Sequence, residues 1–171
     1  VKHLLGFTRC ENSAKKPMDI HEVIEESVAL FTHELKLHNI RLVKKYVRLP
    51  LMVNGEINQM QQVFVNMISN ALDAMLSQKN RERVLSIKTE KDGSLAKVLL
   101  EDTGCGIPDR EIKRIFDPFF TTKEKGTGLG LSVSYGIIKD HHGRIDVSSG
   151  DSNGSCGTCF AITLPAAPEV N

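Results

Sequence analysis

Apolar residues along the chain follow two rhythms, one of three to four residues and one of two. Met60, Phe64, Met67, Ile68, Ala71, Leu72 and Met75 recur at helical steps and predict a long amphipathic helix over residues 59–75. Asp19 and Glu22 have the form of a capping box, opening an earlier helix that carries Val23, Ile24, Val28, Phe31 and Leu35 on one face and ends near Asn39. Residues 40–47 read as a strand stopped by Pro50. Residues 84–90 and 95–101 read as strands of a hairpin, with the turn at Lys91-Asp92-Gly93. A short helix over 109–116 and a longer one over 131–142 follow, the second with Val133, Ile137 and Ile138 inward and Gly143 as its stop. Residues 145–149 and 158–164 form a closing hairpin, while 1–9 read as a helix end and 12–17 as a polar linker. This order of elements predicts an α/β sandwich, with a mixed, mostly antiparallel sheet covered by helices on one face.

The polar side of the 59–75 helix is built from Gln59, Gln62, Asn66, Asn70 and Asp73 rather than from Lys and Glu. Amides are mediocre helix formers, but they coordinate hard cations and hydrogen-bond phosphates. From the helix alone, a face that simply meets water remains an equal reading.

Two glycine-bearing stretches follow. Asp102-Thr103-Gly104-Cys105-Gly106-Ile107 puts a carboxylate at a strand end with alternating glycines behind it. The carboxylate can accept from an exocyclic amine while glycines admit a flat ring; a tight turn capped by Asp fits as well. Gly126-Thr127-Gly128-Leu129-Gly130-Leu131-Ser132 leads into a helix N-terminus, where free amides and the dipole favour an anion such as phosphate. It follows a loop rather than a strand, so it fits the dinucleotide fingerprint poorly, and no P-loop pattern occurs in the chain.

Composition narrows the class. With 22 Lys+Arg against 21 Asp+Glu, the balance gives no basic nucleic-acid surface and no membrane patch. No apolar run approaches the roughly 18–20 residues of a membrane-spanning helix. Cys10, Cys105, Cys156 and Cys159 are too few for a disulfide framework, and the single C-x-x-C lacks two further zinc ligands, so they read as reduced thiols of a cytoplasmic protein. The chain opens at Val1 without Met, which reads as a piece of something longer.

Taken together and in this order, the Asn66/Asn70 helix, the D-x-G-x-G and the G-x-G-x-G resemble the N box and two glycine boxes of the Bergerat ATP-binding fold, shared by histidine kinases, gyrase-type topoisomerases, heat-shock chaperones of the ninety-kilodalton class and mismatch-repair ATPases. Phe116-Asp117-Pro118-Phe119-Phe120-Thr121-Thr122-Lys123 resembles the phenylalanine box of the kinase branch. The resemblance runs from about Met18 to Pro165 and is nearest to nitrogen-regulation-type sensor histidine kinases.

The resemblance implies ATP and Mg2+ as ligands. It makes Asn70 the magnesium-coordinating residue, with Asn66 as a second metal ligand or phosphate contact, and both catalytic. It makes Asp102 the acceptor for the adenine amine, with Gly104 and Gly106 admitting the base. Gly126, Gly128 and Gly130 would hinge a mobile lid, Lys123 and Lys125 would contact phosphate, and Phe116 and Phe119 would anchor the lid. Asp73, Ile107, Phe119, Thr122, Thr127, Leu129 and Leu131 complete the expected ATP-binding set. Two departures stand out: Asp73 replaces a common N-box Lys, and Arg144 replaces the second Gly of a Gly-Gly.

The implied activity is transfer of the γ-phosphate to a histidine on a separate dimerisation domain, in two-component signalling with a response regulator. A conformational ATPase of the same fold, or a module that only holds nucleotide, are the alternatives. The ATPase branch carries a Glu at the position of Asn66. Residues 1–13 are assigned to the end of a dimerisation-hairpin helix and linker, and 14–168 to the catalytic domain. The phosphoacceptor histidine would precede Val1; His33-Glu34-Leu35-Lys36 lacks the following Pro of that signature. The parent is expected to be a cytoplasmic-facing homodimer and this chain a monomer.

Overall fold

A computed structural model describes residues 15–78, 82–123, 126–150 and 157–168. In chain order the elements are β1 Lys16–Asp19, α1 Ile20–Ala29, α2 Thr32–Leu37, β2 Ile40–Lys45, β3 Met52–Gly55, α3 Ile57–Leu76, β4 Arg83–Asp92, β5 Leu95–Asp102, α4 Asp109–Ile112, α5 Gly130–Asp140, β6 Arg144–Ser149 and β7 Thr158–Pro165. Five strands form the main sheet in the order β2-β4-β5-β7-β6; β2 and β4 run parallel and every other pair antiparallel.

The predicted sandwich is the observed one. Every second residue of β5 and β7 is buried, Ala96, Val98 and Leu100 in one and Phe160, Ile162 and Leu164 in the other. Their neighbours Lys97, Leu99, Glu101, Cys159 and Ala161 are only partly covered, so the helices lie on one face. Met60, Val63, Phe64, Met67, Ile68, Ala71, Leu72 and Met75 of α3 all sit in this core. α3 is flanked by α1 and α5. Among the described residues no helix is long and apolar enough to cross a membrane.

Several boundaries differ from expectation. The first helix breaks after Ala29, where the Thr32 hydroxyl donates to the Ala29 carbonyl at 3.0 Å and competes with helical pairing. Asp19 caps α1 through its side chain, accepting from the His21 amide at 3.0 Å. The linker read over residues 12–17 ends in a strand: β1 pairs antiparallel with β3 in a second, two-stranded sheet. α4 spans four residues instead of eight, because i→i+3 turns at Arg114 and Asp117 carry the chain on and sink Ile115 into the core. α5 ends in a Schellman turn with His142, not Gly143, in the left-handed region at φ 58°. Gly143 is needed for space instead, since a Cβ there would lie 2.6 Å from the Thr163 carbonyl oxygen. Arg144, the departure from Gly-Gly, opens β6 on the surface and pairs with Asp146. The helix end read over 1–9 lies outside the described residues.

Candidate nucleotide site

The polar face of α3 points at two other segments. Near its middle, the Asn66 amide nitrogen donates to the Gly130 carbonyl at 3.0 Å and to the Ser134 hydroxyl at 3.2 Å. A carbonyl can only accept, so this fixes which end of the amide faces α5 and leaves Oδ1 for other work. One turn on, Asn70 Oδ1 and Asp73 Oδ2 each accept from the Lys123 ammonium at 2.7 Å. Near the helix end, the Ala74 carbonyl accepts from the Cys105 amide at 3.2 Å, docking the first glycine turn onto α3. The amide stripe therefore runs between the start of α5 and the turn after β5.

Asp102 ends β5 and is 8% exposed. Its Oδ1 accepts from the Gly104 amide at 2.8 Å, and the Thr158 amide also donates to it. Burial pushes its carboxyl up to about 6 against the pull of those two bonds. The glycines around it are required by the protein itself. A Cβ on Gly104 would lie 2.6 Å from the Ala74 Cβ, and Gly106 has φ 73° with Ser149 Oγ 2.8 Å from any Cβ. Ser149 ties the turn down by accepting from the Ile107 amide at 2.5 Å and donating to the Gly157 carbonyl at 2.9 Å.

The loop before α5 is closed at its base. The Phe119 amide donates to the Gly128 carbonyl at 2.9 Å, and Gly126 bonds back to the Lys123 carbonyl at 3.1 Å. Gly128, at φ 68°, lies so close that a Cβ would be 2.3 Å from the Phe119 carbonyl carbon. Against the expectation that it anchors the loop, Phe119 has a backbone at φ 67° that turns its ring outward, 74% exposed. Phe116 and Phe120 pack against the core instead, Phe116 tilted on Tyr135 at 5.2 Å and Phe120 under the Arg114 guanidinium at 4.7 Å. A left-handed Phe costs on the order of 1–2 kcal/mol, strain that clusters at functional segments. Among the described residues no side chain caps α5, so its first amides, from Gly130 and Leu131, lack a capping acceptor and carry the positive end of the helix dipole. Thr127 accepts from the Leu129 amide at 3.4 Å and shapes the approach; Thr122 is exposed. Lys125 lies outside the described residues.

Sequence reading missed two supports. Glu56, 7% exposed, caps α3 by accepting from the Asn58 and Gln59 amides at 3.0 and 2.9 Å. An acidic residue between Gly55 and the first helical turn was the available signal. The Glu56 amide in turn donates to His141 Nε2 at 3.1 Å, while His141 Nδ1 donates to the Ile137 carbonyl at 2.7 Å. These partners fix a neutral imidazole, and burial holds its pKa below the ordinary value. It joins the end of α5 to the start of α3, a contact with no local sequence sign.

A shallow depression of about 430 Å3 opens elsewhere, on the outer sheet face beside Ser86, Glu101 and Cys159. Apart from Asp102 its charged wall is Glu101, which repels phosphate. Cys156 of the C-x-x-C lies outside the described residues; Cys159 is a free thiol whose pKa burial raises.

The family model described as histidine kinase-, DNA gyrase B-, and HSP90-like ATPase matches residues 55–168, from the last residue of β3 to just past β7. The chain belongs to that family. Within this ATPase family its relatives are sensor kinases. Sporulation kinase A of Bacillus subtilis (strain 168) is 39% identical over 155 residues, covering 91% of this chain and 24% of that protein. The chain spans 24%, 37% and 33% of three such curated relatives. Among solved structures, the nucleotide-free catalytic domain of histidine kinase ThkA superposes with a TM-score of 0.79 at 29% identity, covering 91% of this chain and 100% of that one. The complex of ThkA with the response regulator protein TrrA matches with a TM-score of 0.74 at 27% identity, covering 92% of this chain and 43% of that one. The ATPase fold thus accounts for the element order and the sheet.

Proposed function

We propose that this ATPase-family domain is the catalytic part of a sensor histidine kinase, binding Mg·ATP and delivering the γ-phosphate to a histidine on a separate helical domain. One observation carries the reading: Asn66, Asn70 and Asp73 stand on one face of α3, between the uncapped start of α5 and the buried Asp102. Membership of the ATPase family and full coverage of a solved kinase catalytic domain support it. On this reading residues 14–168 are the domain and 1–13 lead in from the dimerisation helices.

Asp102, once ionised, accepts the adenine amine, and the Ser149-braced turn from Gly104 to Ile107 lines the base. The amides of Gly130 and Leu131 receive phosphate oxygens, with Thr122, Thr127 and Leu129 shaping the entrance and Lys123 and Lys125 supplying positive charge. The residues fit a divalent ion, because Asn70 Oδ1 and Asp73 Oδ2 already hold a cation, the Lys123 ammonium; Asn70, with Asn66 Oδ1 and Asp73, would hold Mg2+. When bound, Mg2+ neutralises charge on the transferring phosphoryl group. Catalysis of that transfer is mostly positioning, and the chain supplies position. Asn66 cannot take a proton from water, and its nitrogen is committed to α5, which favours transfer to a histidine over hydrolysis.

The proposal extends to a homodimeric parent, a cytoplasmic setting and a monomeric state for this chain itself. It also includes phosphate passage to a response regulator, which the solved complex of ThkA with TrrA supports. The test is phosphoryl transfer in two parts. Incubated with γ-labelled ATP, the chain alone should carry no acid-labile phosphate, with His33→Gln making no difference; adding a helical hairpin bearing the parent's phosphoacceptor histidine should label that histidine. Label on His33, or no label on the hairpin, would refute the reading.

A further inference from the structure

The pair formed by Asn70 and Asp73 is filled by the protein's own cation. Asn70 Oδ1 and Asp73 Oδ2 are three residues apart on α3, and the Lys123 ammonium lies 2.7 Å from both. An ammonium with three donors and a divalent ion make the same demand on such oxygens, and they cannot be satisfied together. Lone surface Lys–Asp pairs are common and weak. This one differs in two respects. Half of it is an uncharged amide, which has no net charge to attract a roaming lysine. The lysine is also held from behind: its amide donates to Thr121 Oγ1 at 3.1 Å, and its carbonyl accepts from Gly126 at 3.1 Å. These bonds sit inside the turn closed by Phe119 and Gly128.

We propose that Lys123 is the resident counter-cation of the divalent-ion site and is exchanged for the ion when a metal–nucleotide complex enters, an inference that rests on the assignment of Asn70 and Asp73 to that site. A free ion must displace a tethered ammonium and leave it unpaired. An ion arriving with phosphate displaces the same ammonium onto the phosphate, so no charge is stranded. Lys123 thereby makes metal and nucleotide enter together. Asp73, where an N-box lysine is common in the resemblance, is what allows the exchange, because it supplies the charge that Lys123 neutralises in the free domain.

Removing the ammonium should move two affinities in opposite directions. In Lys123→Met, free Mn2+ titrated into the nucleotide-free 171-residue chain and followed by its electron-spin signal should bind three- to tenfold tighter than in the parent sequence. Binding of Mn2+ with a non-hydrolysable ATP analogue, read by calorimetry, should weaken several-fold. Lys123→Arg keeps a cation in place and should keep the weak free-ion binding. A lysine that only contacts phosphate, or only stabilises the loop, gives no gain in free Mn2+ affinity. Unchanged or weaker free Mn2+ binding in Lys123→Met overturns the exchange. Asn70→Ala separates this from failure of the site: if it leaves Mn2+-nucleotide binding untouched, the assignment of Asn70 is itself wrong.

Discussion

Replacing Asp102 by Asn should make the domain more stable at neutral pH while weakening its hold on ATP. Asp102 is 8% exposed, and burial raises its carboxyl from 3.8 to about 6. A folded pKa above the unfolded one means that the folded state prefers the protonated acid. Stability is therefore full below about pH 4 and is lost as pH rises through 6. The rise from 3.8 to about 6 corresponds to roughly 3 kcal/mol at pH 7.5. Asn carries no charge to desolvate, but it offers the Gly104 and Thr158 amides a neutral acceptor and puts an NH2 donor where the second carboxylate oxygen was, which returns about 1 kcal/mol. The expected net gain is about 1–2 kcal/mol, or roughly 3–6 °C in Tm for a chain of this size. Thermal melts of both proteins at pH 7.5, 6 and 4.5 measure it, and the gain should shrink towards the lowest pH. Calorimetry should show ATP weakened by about 1–2 kcal/mol, the loss of a charged acceptor. A variant that is less stable at pH 7.5, or whose offset ignores pH, would refute the account of Asp102.

Asn70→Ala should abolish Mg-dependent ATP binding in a titration with the melt unchanged, because the side chain lies on the polar face of α3 and opens no cavity. Gly128→Ala meets the Phe119 backbone at 2.3 Å and should speed hydrogen exchange at the Phe119 amide, with β4 and β5 still protected; Gly130→Ala meets Asn66 no closer than 3.5 Å and should leave that amide slow. His141→Leu strands the Glu56 amide and should cost roughly 1–3 kcal/mol in urea denaturation. Because burial lowers the His141 pKa, the neutral ring stabilises the fold above the unfolded value and that contribution fades as pH falls below it, so the cost should also shrink at acid pH.

What was legible in the sequence was whatever a single element encodes. The two faces of α3 follow from spacing alone, and every residue assigned to its apolar stripe is buried. The β4–β5 hairpin was readable from its turn. β1 and β3 were not: each has four residues, Pro17, Asn54 and Gly55 are poor strand formers, and the pairing joins segments some 35 residues apart. The direction of Phe119 was hidden because a box of aromatic residues suggests packing, whereas one positive φ decides which way the ring points. The partners of Lys123 and Asn66 come from elements 50 to 68 residues away, so residue type gave their chemistry but not their company.

That company changes what the amide stripe means. If Asn66 only coordinated a ligand, its nitrogen would be idle in the free domain; it is bonded to the first residue of α5 and to Ser134 one turn later. The same α5 ends at His141, whose ring holds the amide of Glu56, the cap of α3. α3 and α5 are thus joined at both ends of α5 by side chains whose tautomer or amide orientation is fixed by a backbone partner. The loop between Phe119 and Gly128 hangs from this pair and touches α3 through Lys123 at Asn70 and Asp73, a contact exposed enough to exchange. Under the proposed function, a rigid joint beside a replaceable one is the arrangement a phosphoryl donor needs. The groups that would fix the phosphates keep their places, and only the charge that would follow the phosphate moves.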